Sequence, residues 1–195
     1  VSSNSRLRLA LSKANAANVP KYTVKRAIDK ASGQNNDNFE EITYEGYGPK
    51  GIAVIIECLT DNKNRTVSEL RYVLSKHGGS LGTNGSVSHL FRKIGILKLL
   101  SISEDDLLEH MENIDIEDFE LIDNDCIIFT KPNILFEAKK YFESKSIKVV
   151  DEEISMDALT MVEISIDDQE KISDLSSKIE ELDDVQNVYM NVNLS

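Results

Sequence analysis

Residues 44–66, YEGYGPKGIAVIIECLTDNKNRT, decide how this chain is read. A glycine turn runs into a nearly unbroken apolar run over 52–59, followed by a polar loop and a helix start. A short apolar run bounded by turn residues reads as a buried strand. Gly46-Tyr47-Gly48-Pro49-Lys50-Gly51 also fits G-x-G-x-x-G letter for letter. A dinucleotide site needs that motif after a strand and at the opening of a helix, so that helix N–H groups meet the pyrophosphate. Here a strand follows, and Pro49 removes a donor. The motif therefore reads as a turn between two strands, with Gly48 at a position that requires glycine.

Outward from this stretch, composition sets the limits. The chain has 195 residues, 41% of them apolar, enough for one large core or two to three small ones. No apolar run is long enough to span a membrane, and residues 1–18 are basic and helical without the apolar region of a signal peptide. Cys58 and Cys126 sit far apart in strand-like apolar runs and read as buried thiols in a reducing compartment. There is no C-x-x-C, and His77, His89 and His110 are not at ligand spacing, so no metal or other cofactor is expected. The net charge is −12, but residues 1–33 carry seven basic residues against Asp29 alone. That head is +6 and the remainder −18. A basic head on an acidic body points to a polyanion for the head and favours a protein surface for the body, which a polyanion would repel.

Taken in order, residues 5–17 read as a helix with Leu7, Ala10, Leu11 and Ala14 on one face. Pro20 opens a second helix to about Ala31, where Val24, Ala27, Ile28 and Ala31 form one stripe and Lys21, Lys25, Arg26 and Lys30 the opposite half. Residues 34–38, QNNDN, read as a linker. Strands are expected over 41–44 and 52–59. Thr66-Val67-Ser68-Glu69 reads as a capping box, with Val67, Leu70, Val73 and Leu74 turned inward and Gly78-Gly79 ending the helix. A turn over 82–85 and a strand over 86–91 follow. From Arg92 the pattern becomes β-α-β-β-α-β: a strand over 94–100, a helix capped by Ser103, a hairpin around Asp123-Asn124-Asp125, a helix opened by Pro132 and a strand over 147–150. That order matches a ferredoxin-like sandwich. Val162, Ile164 and Ile166 alternate as a strand, Asp167 caps a helix through Leu182, and Val188, Met190 and Val192 alternate in a closing strand.

No nucleophile–base–acid constellation is readable, and Ser86 after Gly85 lacks the flanks of a nucleophile elbow. The chain is read as non-enzymatic. Acidic clusters over 104–106, 115–120, 151–153 and 180–184 suit helix starts, loops and solvated faces. The loop Thr60-Asp61-Asn62-Lys63-Asn64-Arg65-Thr66 lies between a strand's end and a helix's start, where anions or substrates often bind. Its plainer reading is a turn with a cap. Gly46, Gly48, Asp61, Asn62, Asn64 and Arg65 are the residues carried forward as a candidate functional loop.

Further residues carry a resemblance. Arg6-Leu7-Arg8-Leu9-Ala10-Leu11, Asn18-Val19-Pro20-Lys21, Arg26-Ala27-Ile28, Tyr44 through Pro49, Glu57-Cys58-Leu59-Thr60-Asp61-Asn62 with Asn64-Arg65-Thr66, Gly78 through Gly82 with Gly85-Ser86-Val87, and Asp183-Asp184-Val185-Gln186-Asn187-Val188-Tyr189 resemble the YebC/PmpR family over nearly the whole chain. Lys50 stands where that family often has Gly, Ser5 where Pro is usual, and His77 and Ser80 replace other small or polar residues. The family's basic opening, reading like GHSKW, and the helix after it are not in this sequence. The resemblance implies an α+β protein in three parts: a helical N-terminal domain (1–36), a middle α/β domain (37–91 with 158–195) and an inserted ferredoxin-like βαββαβ domain (92–157). It implies a DNA-binding transcriptional regulator; the alternative it leaves open is a translation factor or translational activator that binds mRNA or rRNA at the ribosome. Both are non-catalytic. In either, Arg6, Arg8, Lys13, Lys21, Lys25, Arg26 and Lys30 are the expected nucleic-acid contacts. The expected setting is bacterial cytoplasm, with a mitochondrial matrix as the alternative.

Overall fold

The computed structural model describes residues 39–111, 113–123 and 125–193, together with Leu7, Ala10, Leu11, Ala14, Val24, Ala27 and Ile28, all seven of them helical. The seven basic residues expected to touch nucleic acid lie outside the described residues. By contacts the chain divides into two units, 18–92 with 158–195 and 93–157 with 1–17.

The first unit is built on β1 (Glu40–Tyr47), β2 (Ala53–Thr60), β3 (Ser80–Leu81) and β8 (Val185–Met190), in the order β3-β1-β2-β8. All three pairings are antiparallel. The apolar run is the central strand β2, and Ile52, Ala53, Val54 and Ile56 are wholly buried. Two helices cover one face: α1 (Lys63–Lys76) and α4 (Ile166–Glu180). Leu70, Val73 and Leu74 from α1 and Leu175 and Ile179 from α4 pack on Val54, Ile56 and Cys58. That apolar stripe at spacing three to four holds α1 on the sheet.

The glycine motif is a turn between β1 and β2, with Tyr47 opposite Ala53. Left-handed backbone falls at Lys50 (φ 61°) and Gly51 (φ 77°). Gly48, expected to need glycine for its conformation, is extended at φ −85° and ψ −174°. A side chain there would meet Leu175 Cδ2 at 3.3 Å, a tight fit rather than a forbidden backbone. Gly46 is the sterically bound position, because a Cβ on it would lie 2.8 Å from the Ser80 carbonyl oxygen of β3.

The second unit carries β4 (Phe91–Leu100), α2 (Glu104–Met111), β5 (Ile116–Ile122), β6 (Asp125–Thr130), α3 (Leu135–Ser144) and β7 (Lys148–Ala158). Its strand order is β5-β6-β4-β7, with β4–β6 and β5–β6 antiparallel. Leu97 and Leu99 from β4, Cys126 and Ile128 from β6, Leu107 from α2, and Ala138 and Phe142 from α3 form one buried cluster. Ser103 caps α2 as expected, accepting from Asp106 N at 3.2 Å.

Four local expectations are corrected. The helix α1 begins a turn earlier than Thr66, because Asn62 Oδ1 accepts from Arg65 N at 3.1 Å and caps it. Residues 86–90 form a loop and a short 3-10 turn rather than a strand, since the Val87 and Ser88 N–H groups are taken by a side chain described below. Ile166 opens α4 and is 83% exposed; the cap is Ser165, which accepts from Asp168 N, not Asp167. Val162 makes only an isolated parallel bridge with Val192.

Candidate functional site: two buried carboxylates and an acidic groove

The register of β1 and β2 separates the candidate loop residues into two groups. Gly46 pairs with Val54 at one end of β2, while Thr60 at the other end leads into Asp61, Asn62, Asn64 and Arg65. Six strand steps at about 3.3 Å each place the two groups roughly 20 Å apart. They do not form one site.

At the β2–α1 end the side chains converge on a residue far away in sequence, Asp184, just before β8. Asp184 is 5% exposed. Its Oδ2 accepts from Thr60 Oγ1 at 2.9 Å and lies 2.7 Å from Thr66 Oγ1. Arg65 Nη2 donates to both carboxylate oxygens, at 2.7 and 3.0 Å, and to Asp61 Oδ1 at 3.0 Å. Thr60 Oγ1 in turn accepts from Asn62 N at 2.9 Å. Burial alone would raise the Asp184 carboxyl. Hydrogen bonds from Thr66, Arg65 and Thr60, with the charge of Arg65, outweigh burial and hold it below the usual carboxylate range. Asn64 contributes to the helix start through its carbonyl, which accepts from Ser68 Oγ at 2.7 Å.

At the Gly46 end stands Glu45, also 5% exposed. Its Oε1 accepts from Gly85 N at 2.7 Å, and its Oε2 from Val87 N at 2.7 Å and Ser88 N at 2.8 Å. Burial pushes this carboxyl up, and the three backbone donors pull it below its ordinary value. Tyr47 Oη donates to the Ser86 carbonyl at 3.0 Å, and Gly82 N to the Glu45 carbonyl at 2.8 Å. The 82–88 loop is thus fixed to β1 by one residue and its neighbours.

Chemically these are anchors. Cys58, near Asp184, has its thiol pushed up to about 12, first by burial and then by the Asp184 charge, so it stays protonated and non-nucleophilic. No cluster of three His, Cys, Asp or Glu able to hold a metal occurs among the described residues. No described helix is long and apolar enough to cross a membrane. Beside Asp184 opens a groove of about 730 Å³, with Phe39, Leu59 and Leu182 among its apolar lining and Asp61, Glu69 and Asp183 among its charged lining. Sequence reading flagged Asp61 and Arg65 but not Asp184, Thr60, Thr66 or Glu45 as a working set. A single Asp before a strand or a Glu within one carries no local signal of its distant donors.

A family model described as the second and third domain of TACO1/YebC matches residues 39–192. A protein of Thermoanaerobacter pseudethanolicus named "Probable transcriptional regulatory protein" is 44% identical over 195 residues, covering 98% of this chain and 79% of its own length. One of the same name from Geobacillus is 43% identical over 99% of this chain and 80% of its own. The crystal structure of a conserved hypothetical protein from Aquifex aeolicus matches with a TM-score of 0.83 and 39% identity, over 97% of this chain and 80% of that one. The mixed α/β architecture with two antiparallel sheets agrees with that neighbour, and the chain belongs to the TACO1/YebC family.

Proposed function

We propose that the chain is a non-enzymatic regulator of gene expression that binds DNA through its basic N-terminal helices. The residues assigned to that contact are Arg6, Arg8, Lys13, Lys21, Lys25, Arg26 and Lys30. The observation that carries the reading is charge segregation. A head of +6 sits on a body of −18, and phosphate neutralisation by Lys and Arg supplies most of the affinity for a polyanion. Relatives named as transcriptional regulatory proteins support transcription as the process. Bacterial relatives support the cytoplasm as the setting.

The proposed organisation has three parts. Residues 1–36 form a helical nucleic-acid-binding domain, and 37–91 with 158–195 a middle domain. Residues 92–157 form an insert of ferredoxin-like type. Its βαββαβ order and its β5-β6-β4-β7 sheet support that type, since the two middle strands of the sheet are the first and third of the insert.

The test is a gel-shift titration of the full chain on duplex DNA and on RNA across a series of salt concentrations. Affinity for DNA is expected to fall steeply with salt. Lys21→Ala/Lys25→Ala/Arg26→Ala is expected to remove most of it and to lower the slope of log K against log salt by about 2 to 3. Unchanged DNA affinity in the triple variant overturns the assignment. Binding confined to RNA would turn the reading to translation.

A further inference from the structure

We propose that the groove between α1 and the 181–186 segment is a docking site for a basic segment of a protein partner, one that sets a lysine or arginine beside an aliphatic side chain. Asp61 of the Thr60-Asp61-Asn62 motif and Asp183 and Asp184 of the Asp183-Asp184-Val185 motif line it, and neither motif is used by the nucleic-acid contact. The groove's volume of about 730 Å³ matches a short peptide segment rather than an ion. Its apolar wall of Phe39, Leu59 and Leu182 gives an aliphatic side chain, or the stem of a lysine, a surface to cover.

Charge settles the sign of the occupant. Arg65 is the one cation lining the groove among the described residues, and its Nη2 is already committed to Asp184 and Asp61. Glu69 and Asp183 face the same space with no ion pair or hydrogen bond among the described residues. The groove therefore carries uncompensated negative charge, which repels nucleic acid and attracts a cation. Among the described residues no three acidic side chains are grouped so as to hold a single metal ion. A cationic group on a chain can reach carboxylates spread along the rim.

The experiment is fluorescence anisotropy of the full chain with a labelled peptide of four alternating lysine–leucine pairs. Two controls are the peptide with serine for leucine, and spermidine as competitor. Glu69→Gln/Asp183→Asn removes the two unpartnered carboxylates and touches none of the anchoring hydrogen bonds. Saturable binding of the lysine–leucine peptide is expected, weakened about tenfold in the double variant with DNA affinity unchanged. Equal binding by the serine peptide, or displacement by spermidine at matched charge, would mean diffuse attraction to an acidic body and would overturn the proposal. So would unchanged affinity in the double variant, or no binding at all.

Discussion

Glu45 and Asp184 lie in the same unit, are buried to the same extent and are both held below their ordinary pKa, yet by different means. Glu45 is answered by backbone amides from one loop, Gly85, Val87 and Ser88. Asp184 is answered by side chains, two threonine hydroxyls and one guanidinium. Backbone donors cannot leave without moving the loop. A hydroxyl can rotate to another acceptor, and Thr66 Oγ1 already has the Asn62 carbonyl at 3.0 Å. Arg65, with 44% of its side chain exposed, can turn to water. The two sites thus use equal burial for unequal rigidity. Glu45 sets the shape of a loop, and Asp184 ties β8 to the start of α1 while leaving the groove wall adaptable.

The largest expected effect follows. Glu45→Gln keeps one acceptor oxygen and turns an amide NH₂ toward backbone donors, leaving at least the Gly85 N–H unanswered and facing another donor. A cost of about 3 kcal/mol in unfolding free energy is expected, with faster amide exchange at Val87 and Ser88 than in the wild type. The pH dependence sharpens it. A carboxyl whose folded pKa is depressed adds stability that is full above its unfolded pKa, about 4.3 for Glu, and is lost as pH falls through the folded value. Wild-type stability should fall on acidification below about pH 5, and the Glu45→Gln curve should be flatter over the same range. Parallel acid curves would mean that the Glu45 charge contributes nothing.

Asp184→Asn is expected to cost less, about 2 kcal/mol, because its donors have other acceptors or water within reach. High salt should shrink that cost, since part of it is a charge pair with an exposed partner, and should leave the Glu45→Gln cost nearly unchanged. Chemical denaturation of both variants at low and high salt reads the difference. Equal salt responses would break the distinction between backbone and side-chain anchoring.

What could be read in the sequence follows the same division between local and distant partners. The strand β2, the inward stripe of α1 and the βαββαβ order were legible because apolar spacing is a local signal. The Ser103 cap was legible for the same reason. Residues 86–90 mimic the start of a strand through Val87, but the Val87 and Ser88 amides belong to Glu45, about forty positions away. Thr66 reads locally as a capping residue; its hydroxyl is drawn instead to Asp184, 118 positions on. Asn62, one turn earlier, then takes the cap. No local pattern announces that residues 185–190 pair with β2. The two anchors were out of reach because a carboxylate's donors are set by topology, not by its neighbours in the chain.

The smallest effect probes that topology most finely. Thr66 is 1% exposed, and Thr66→Val keeps its shape and branching while removing the hydroxyl. Asp184 retains Thr60 and Arg65, so a cost of about 1 kcal/mol is expected, read as a shift in denaturation midpoint at constant m-value. Combined with Asp184→Asn the two costs should fall short of adding, because both remove the same contact. Full additivity would mean that the Thr66 hydroxyl is spent on the Asn62 carbonyl, and that the carboxylate is held by Thr60 and Arg65 alone.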